Sequence, residues 1–242
     1  MQMKNLLCYF IFLPMLSLAQ YPFEKFKSPK YQTINFYKIS SASQTTLSKT
    51  ITSFFLDKTD LKLEIVSNFE NTSRAILLLK HHKKTSRFTE QIIIHDLDHF
   101  FIVDRNGDGK KDIKIVSNYM GNGLAALNVR VIYFIQNENN SFTKISFDDI
   151  MDLNRLERDI NNDGSFEIIT MTLQNYKNHN YWLFNAYNLE NNTLKCVNQK
   201  VNFPMMVQYL TVDNFKPTNK ISKKEILKYQ LKTPFELSIE RN

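Results

Sequence analysis

A nine-residue pattern that occurs twice constrains this chain more than any other feature. It reads Asp104-Arg105-Asn106-Gly107-Asp108-Gly109-Lys110-Lys111-Asp112 and, 55 residues later, Asp159-Ile160-Asn161-Asn162-Asp163-Gly164-Ser165-Phe166-Glu167. The residues that follow also correspond. After the first copy, 113–118, 128–136 and 142–146 read as strands, with a turn at Asn139-Asn140. After the second, 167–173, 181–189 and 194–198 do so, with a turn at Asn191-Asn192. Alternating Ile, Val, Tyr and Phe suit a pleated, half-buried surface. A repeat of this length is one supersecondary unit that cannot bury its apolar face alone, so the units must stack or surround an axis.

A third, degenerate copy lies upstream. Phe55-Leu56-Asp57 resembles Ile102-Val103-Asp104, and Ile65-Val66-Ser67-Asn68 repeats Ile115-Val116-Ser117-Asn118. Its loop, Asp57-Lys58-Thr59-Asp60, is shorter and has too few ligands, so this unit is expected to keep the fold without an ion. Each unit offers a lead-in strand and three more. The predicted fold class is therefore all-β, with antiparallel four-stranded repeat units in a β-propeller-like arrangement of about four to five blades, or an incomplete ring. The units span about 54–95, 100–147 and 155–198 within a single domain over 20–242. Upstream, 20–56 reads as strands around a polar loop. Near the C-terminus Ser222-Lys223-Lys224-Glu225 has capping-box spacing, which predicts a short helix of about ten residues before Pro234.

Oxygens at positions 1, 3, 5 and 9 with glycine at 6 are what a tight loop needs to wrap Ca²⁺, a hard cation that takes six to eight oxygen ligands. In the first loop Asp104, Asn106, Asp108 and Asp112 would supply side-chain oxygens and Lys110 its carbonyl. In the second, Asp159, Asn161, Asp163 and Glu167 play those parts, with the carbonyl of Ser165. Gly109 and Gly164 permit the sharp turn. The competing reading is a metal-free turn rich in Asn, Asp and Gly. Neither loop is an EF-hand, because position 12 is Ile115 or Thr170 in place of a bidentate Glu, and a strand follows. The loops resemble the aspartate-rich calcium loops of FG-GAP and VCBS-type repeat proteins. That resemblance covers about 100–198 and implies a propeller-like fold and a structural ion; it implies no partner or activity.

The first nineteen residues predict a signal peptide: Lys4 is the positive start, 6–16 is mostly apolar, and Ser17-Leu18-Ala19 offers small residues for cleavage. The expected location is secreted or periplasmic. No other stretch approaches the roughly 18 consecutive apolar residues of a spanning helix, so no membrane span is expected after cleavage. Loss of Cys8 leaves Cys196 alone, which excludes an intramolecular disulfide. The formal net charge of +7 comes from scattered lysines. The one basic run, Lys80-His81-His82-Lys83-Lys84, reads as a solvated hairpin tip, so nucleic acid is not an expected partner.

Catalytic patterns are thin. In His95-Asp96-Leu97-Asp98-His99 an extended backbone sends histidines and aspartates to opposite faces. Asp148 and Asp149 are expected to line a turn after Ser146. Gly121-Asn122-Gly123 fits a hairpin loop, and the segment from Tyr176 to Trp182 mixes aromatic and polar side chains as a recognition surface would. The expected function is a non-catalytic binding or inhibitor module whose loops 119–127 and 174–181 contact a protein or glycan in the envelope or outside the cell. The alternative is a secreted hydrolase of polysaccharide or peptide, which would need Asp96, Asp98, Asp148 or Asp149 to converge in one cleft.

Overall fold

The computed structural model describes residues 21–40, 44–68, 75–90, 99–119, 121–210 and 221–241. Residues 1–19, expected to be a signal peptide, and the run His95 to Asp98 lie outside the described residues. The described chain is nearly all β. After β1 (Tyr31–Ile34) come β2 (Tyr37–Ser40), β3 (Gln44–Ile51), β4 (Leu61–Asn68), β5 (Ala75–His81) and β6 (Lys84–Glu90). Next are β7 (Phe100–Val103), β8 (Asp112–Asn118), β9 (Asn128–Gln136) and β10 (Phe142–Ile150), then β11 (Ile168–Tyr176), β12 (His179–Glu190), β13 (Thr193–Cys196) and β14 (Met205–Gln208). The one α-helix among the described residues, α1 (Lys223–Leu227), precedes β15 (Phe235–Arg241).

These strands form three antiparallel sheets in chain order. The first is the meander β2-β3-β4-β5-β6, the second runs β1-β7-β8-β9-β10-β15, and the third is β11-β12-β13 with β14 also paired to β12. The repeat is visible in the topology, because β4, β8 and β11 each follow one of the three aspartate loops and each open a hairpin. Asn191 and Asn192 adopt φ of +52° and +57°, and Lys177 and Asn178 +50° and +62°, the left-handed pairs that tight two-residue hairpins use. The lead-in strand expected in every unit is a named strand only in the second, as β7. In the third it is reduced to the bridges Lys27↔Asp159 and Arg158↔Glu167, and in the first β3 takes its place beside β4.

Two expectations are corrected. The described residues form three sheets, fewer than the four to five blades expected of a full ring, and β1 and β15 add to opposite edges of the second sheet. The helix is five residues long, not ten. Ser222 does cap it, its hydroxyl accepting from the Glu225 amide at 3.3 Å. The chain then leaves the helix because Leu231 is held on the third sheet: its amide donates to Asn185 and its carbonyl accepts from Tyr187.

Which faces are covered explains the burial. The inner face of the first sheet, with Leu61, Leu63, Ile65, Leu77 and Phe88, packs on Ile113, Ile115, Ile132 and Phe134 of the second. The second sheet's other face, with Val116, Val131, Tyr133 and Phe147, packs on Ile168 and Tyr187 of the third. Phe23 and Phe203 cover the far side of the third sheet at Phe184 and Trp182. The first sheet therefore alternates, β5 being buried at every second position, whereas β8 is buried from Asp112 through Ser117. A sheet covered on both sides must bury whatever its sequence places there.

Candidate metal loops and a polar cleft

The two nine-residue loops sit at equivalent strand junctions of neighbouring sheets and touch. A Cβ built on Gly107 would stand 2.9 Å from the carbonyl oxygen of Gly164. Each loop wraps its backbone around its own side chains in one pattern. Asp104 accepts from the amides of Gly107 and Gly109 at 2.9 and 3.0 Å, and Asp159 accepts from Gly164 at 3.3 Å. Asn106 and Asn161 accept from Asp108 and Asp163; Asp108 and Asp163 accept from Lys110 and Ser165. The ninth-position acids reach back to the second residue, Asp112 to the Arg105 amide and Glu167 to the Ile160 amide. The sequence repeat is thus a conformational repeat, down to individual hydrogen bonds.

Arg105 lies buried between the loops, its guanidinium donating to the Phe166 carbonyl at 3.0 Å. Burial pushes the Asp112 carboxyl up to about 7, against the pull of the Gln136 and Arg105 amides and the Arg105 charge. Burial also raises Glu167. One oxygen of Asp159 is buried without a hydrogen-bond partner. An orphaned carboxylate oxygen beside raised acids suits a cation, and Asp104, Asn106, Asp108, Asp112, Asp159, Asn161, Asp163 and Glu167 are all hard oxygen donors. Most of these oxygens are meanwhile turned onto loop amides. Among the described residues no three loop carboxylates bring ligand atoms within 4.8 Å of one another. Binding would therefore draw them inward.

The contact between the loops is directly testable. Gly107 has φ of +74° and Gly109 +79°, but nothing lies within 4 Å of a Cβ on Gly109. Gly109→Ala should therefore cost only left-handed backbone strain, about 1–2 kcal/mol. Gly107→Ala adds a clash with backbone and should cost about 1–3 kcal/mol more. Urea midpoints of the two variants measure the difference; equal losses would show that the loops do not meet.

Sequence reasoning missed two sets of charged residues on the second sheet. On the face toward the third sheet, Lys114 is buried with its ammonium 2.7 Å from Asp152 and 3.1 Å from Glu157. Tyr133 hydrogen-bonds Glu157, and Arg155 pairs with Asp149. Burial pushes Glu157 up to about 8. On the opposite face, Arg130 bridges Glu90 at 3.0 Å and Asp148 at 2.9 Å, Lys144 reaches Glu90 at 3.1 Å, and Tyr119 donates to Asp148. These residues, with Glu236, Ser238 and Glu240, line an open cleft of about 450 Å³. An adjoining depression adds Leu173 and Phe235.

Asp148 and Asp149 thus belong to strand β10 and not to a turn, and point oppositely as strand neighbours must. Asp148 opens to the cleft, while Asp149 is turned inward onto Arg155. Gly121 to Gly123 sits in the β8–β9 connection, which continues as a 3-10 turn over Gly123–Leu127. Of the aromatic segment, Tyr181 and Trp182 are buried, and Tyr176 rests edge-on against Tyr181 and Tyr229. The signal that could have exposed the missed residues is the single basic residue that each of three Ile-, Val- or Phe-bearing strands carries: Lys114 in β8, Arg130 in β9, Lys144 in β10. No family model, no curated protein and no solved structure matches this chain.

Proposed function

We propose that this chain is an exported calcium-binding β-repeat protein that acts as a non-catalytic binding or inhibitor module, with Ca²⁺ fixing the loops between its strands. The observation that carries the reading is the shared wrapping of the two loops around Asp104 and Asp159, with equivalent oxygens in equivalent places. The stacked antiparallel meanders fit a propeller-like repeat protein of FG-GAP or VCBS type. The signal-like first nineteen residues fit secretion or the periplasm, where Ca²⁺ is available to weak sites. The recognition surface is the cleft of Tyr119, Arg130 and Asp148, flanked by the 119–127 loop and by exposed Leu173 and Phe235. Its mixed charge and apolar rim suit a protein or glycan partner.

The hydrolase reading needs an acid kept protonated in the cleft. Burial works to raise Glu90, but the Ser146 hydrogen bond and the Lys144 and Arg130 charges win and hold it below the usual carboxylate range.

Calcium should stabilise the native state alone. At a hundredfold excess over Kd the gain is about 2.7 kcal/mol per site, a rise in Tm of roughly 5–11 °C for a chain of this size. Calorimetry with excess chelator and then with Ca²⁺ measures it. An unchanged Tm removes the calcium reading. Affinity capture from the native envelope, with and without chelator, tests the binding arm; turnover of a glycan or peptide panel would replace it with the hydrolase.

A further inference from the structure

The shortened loop of the first unit meets the basic hairpin tip of the same unit. Asp57, His81 and His82 each bring a ligand atom to within 4.8 Å of the other two, the one such group of His, Cys, Asp and Glu among the described residues. Three local features converge them. Thr59 donates from both its amide and its hydroxyl to Oδ1 of Asp57, at 3.0 and 2.5 Å, which fixes the carboxylate at the loop surface. The same hydroxyl lies 2.8 Å from Nε2 of His81, so it bridges the carboxylate and the imidazole across the space between them. The His81 ring is further held against Phe55, centroid to centroid at 3.9 Å.

His82 should point away from His81, since neighbours in a strand alternate. It does not. The β5–β6 turn begins at His82 with φ of +51°, and this left-handed residue swings the second ring back to 4.3 Å from the first. A residue other than Gly in that conformation is uncommon, and here it pairs two imidazoles beside a carboxylate.

We propose that Asp57, His81 and His82 form a binding site for a borderline divalent transition-metal ion, Zn²⁺ or Cu²⁺ in class. Two imidazoles and one carboxylate match the preference of these ions and not that of Ca²⁺, which takes oxygen. Tetrahedral bonds of about 2.0–2.2 Å place ligand atoms roughly 3.3 Å apart, so the ion draws the three side chains together. Asp57 and His82 are exposed and can rotate at little cost; the Thr59 bridge gives way to the ion. Three protein ligands leave one coordination position open, and His81 and His82 also line a groove with Asn139, Asn140 and Ser141. A first-unit loop too short for calcium thus serves a different ion, and this site is independent of the calcium reading.

The test is titration calorimetry of the full chain, made without a histidine tag, with Zn²⁺ alone in buffer holding saturating Ca²⁺ so that oxygen-only sites are filled. One saturable equivalent of Zn²⁺ is expected. Asp57→Asn and His82→Ala, which keep the turn and alter exposed groups, should each weaken it about tenfold or more; His81→Ala should do the same. His179→Ala, in a different sheet, should leave it unchanged. The proposal falls if the native chain takes up no saturable equivalent, if the equivalent persists in Asp57→Asn or His82→Ala within twofold, or if His179→Ala removes it.

Discussion

Lys114→Met should cost the fold about 3–5 kcal/mol, because it strands the buried Asp152 carboxylate that the ammonium now neutralises. Lys114 and Asp152 are 3% and 5% exposed and 2.7 Å apart, and Glu157 at 2% exposed completes the group. The methionine fills nearly the same volume, so packing loss is small and the electrostatic part dominates. With Lys114 gone, Arg155 at 3.9 Å is the nearest cation left to Asp152, and Asp149 already engages it. Asp152 must then take a proton or draw in water. For a chain of this length the loss corresponds to a fall in Tm of roughly 6–20 °C. Lys114→Met combined with Asp152→Asn removes both charges and should recover most of the loss, as replacing both partners of a buried pair does. A single variant within about 1 kcal/mol of the parent, or a double variant no better than the single, would mean that water already screens this group.

That network also marks where the sequence stopped being readable. Strand positions, hairpin turns and the loop repeat followed from local rules: β-branched and aromatic runs, paired asparagines at the turns, glycine at the sixth loop position. The observed β9 covers 128–136 as expected, and the Asn191-Asn192 turn sits where those residues placed it. Lys114 defeated the same logic. In Ile113-Lys114-Ile115 alternation puts the lysine outward, and that inference fails because the third sheet covers the second face. Which sheet becomes central depends on how units stack, a long-range property that no single strand encodes. Asp148 and Asp149 were misplaced for a related reason. Two adjacent acids favour a turn locally, yet Arg130 and Arg155, from different parts of the chain, stabilise one on each face of β10. The converging histidines escaped because strand alternation separates neighbours, and only the left-handed turn at His82 reverses it.

The same buried acids set a pH dependence with an unusual sign. For metal-free protein, stability should fall as pH rises from about 5 to about 8. Glu157 is raised from 4.5 to about 8 and Asp112 from 3.8 to about 7, both by burial, and Glu167 moves the same way. Between the unfolded and folded values the native state holds protons that the unfolded chain has released. Its advantage is therefore complete below the unfolded pKa and is lost as pH climbs through the folded one. A shift of that size for a fully buried group is on the order of 4 kcal/mol. His81 works in the opposite direction, since its pKa is lowered, but it is largely solvated and its effect is screened. Glu64, lowered by hydrogen bonds from Lys62 and Lys80, acts only below its unfolded pKa and leaves this window untouched. Chemical denaturation in chelator across the window should show the decline, and Glu157→Gln, which cannot ionise, should make it shallower by the Glu157 share while the shares of Asp112 and Glu167 stay. Ca²⁺ bound as proposed would separate the contributors, because an ion on Asp112 and Glu167 would hold them ionised and remove their share while Glu157 kept its own. A slope that is flat in chelator would show that water or partner groups stabilise these carboxylates as anions despite their burial, and one that Ca²⁺ leaves unaltered would show that no ion sits on Asp112 and Glu167.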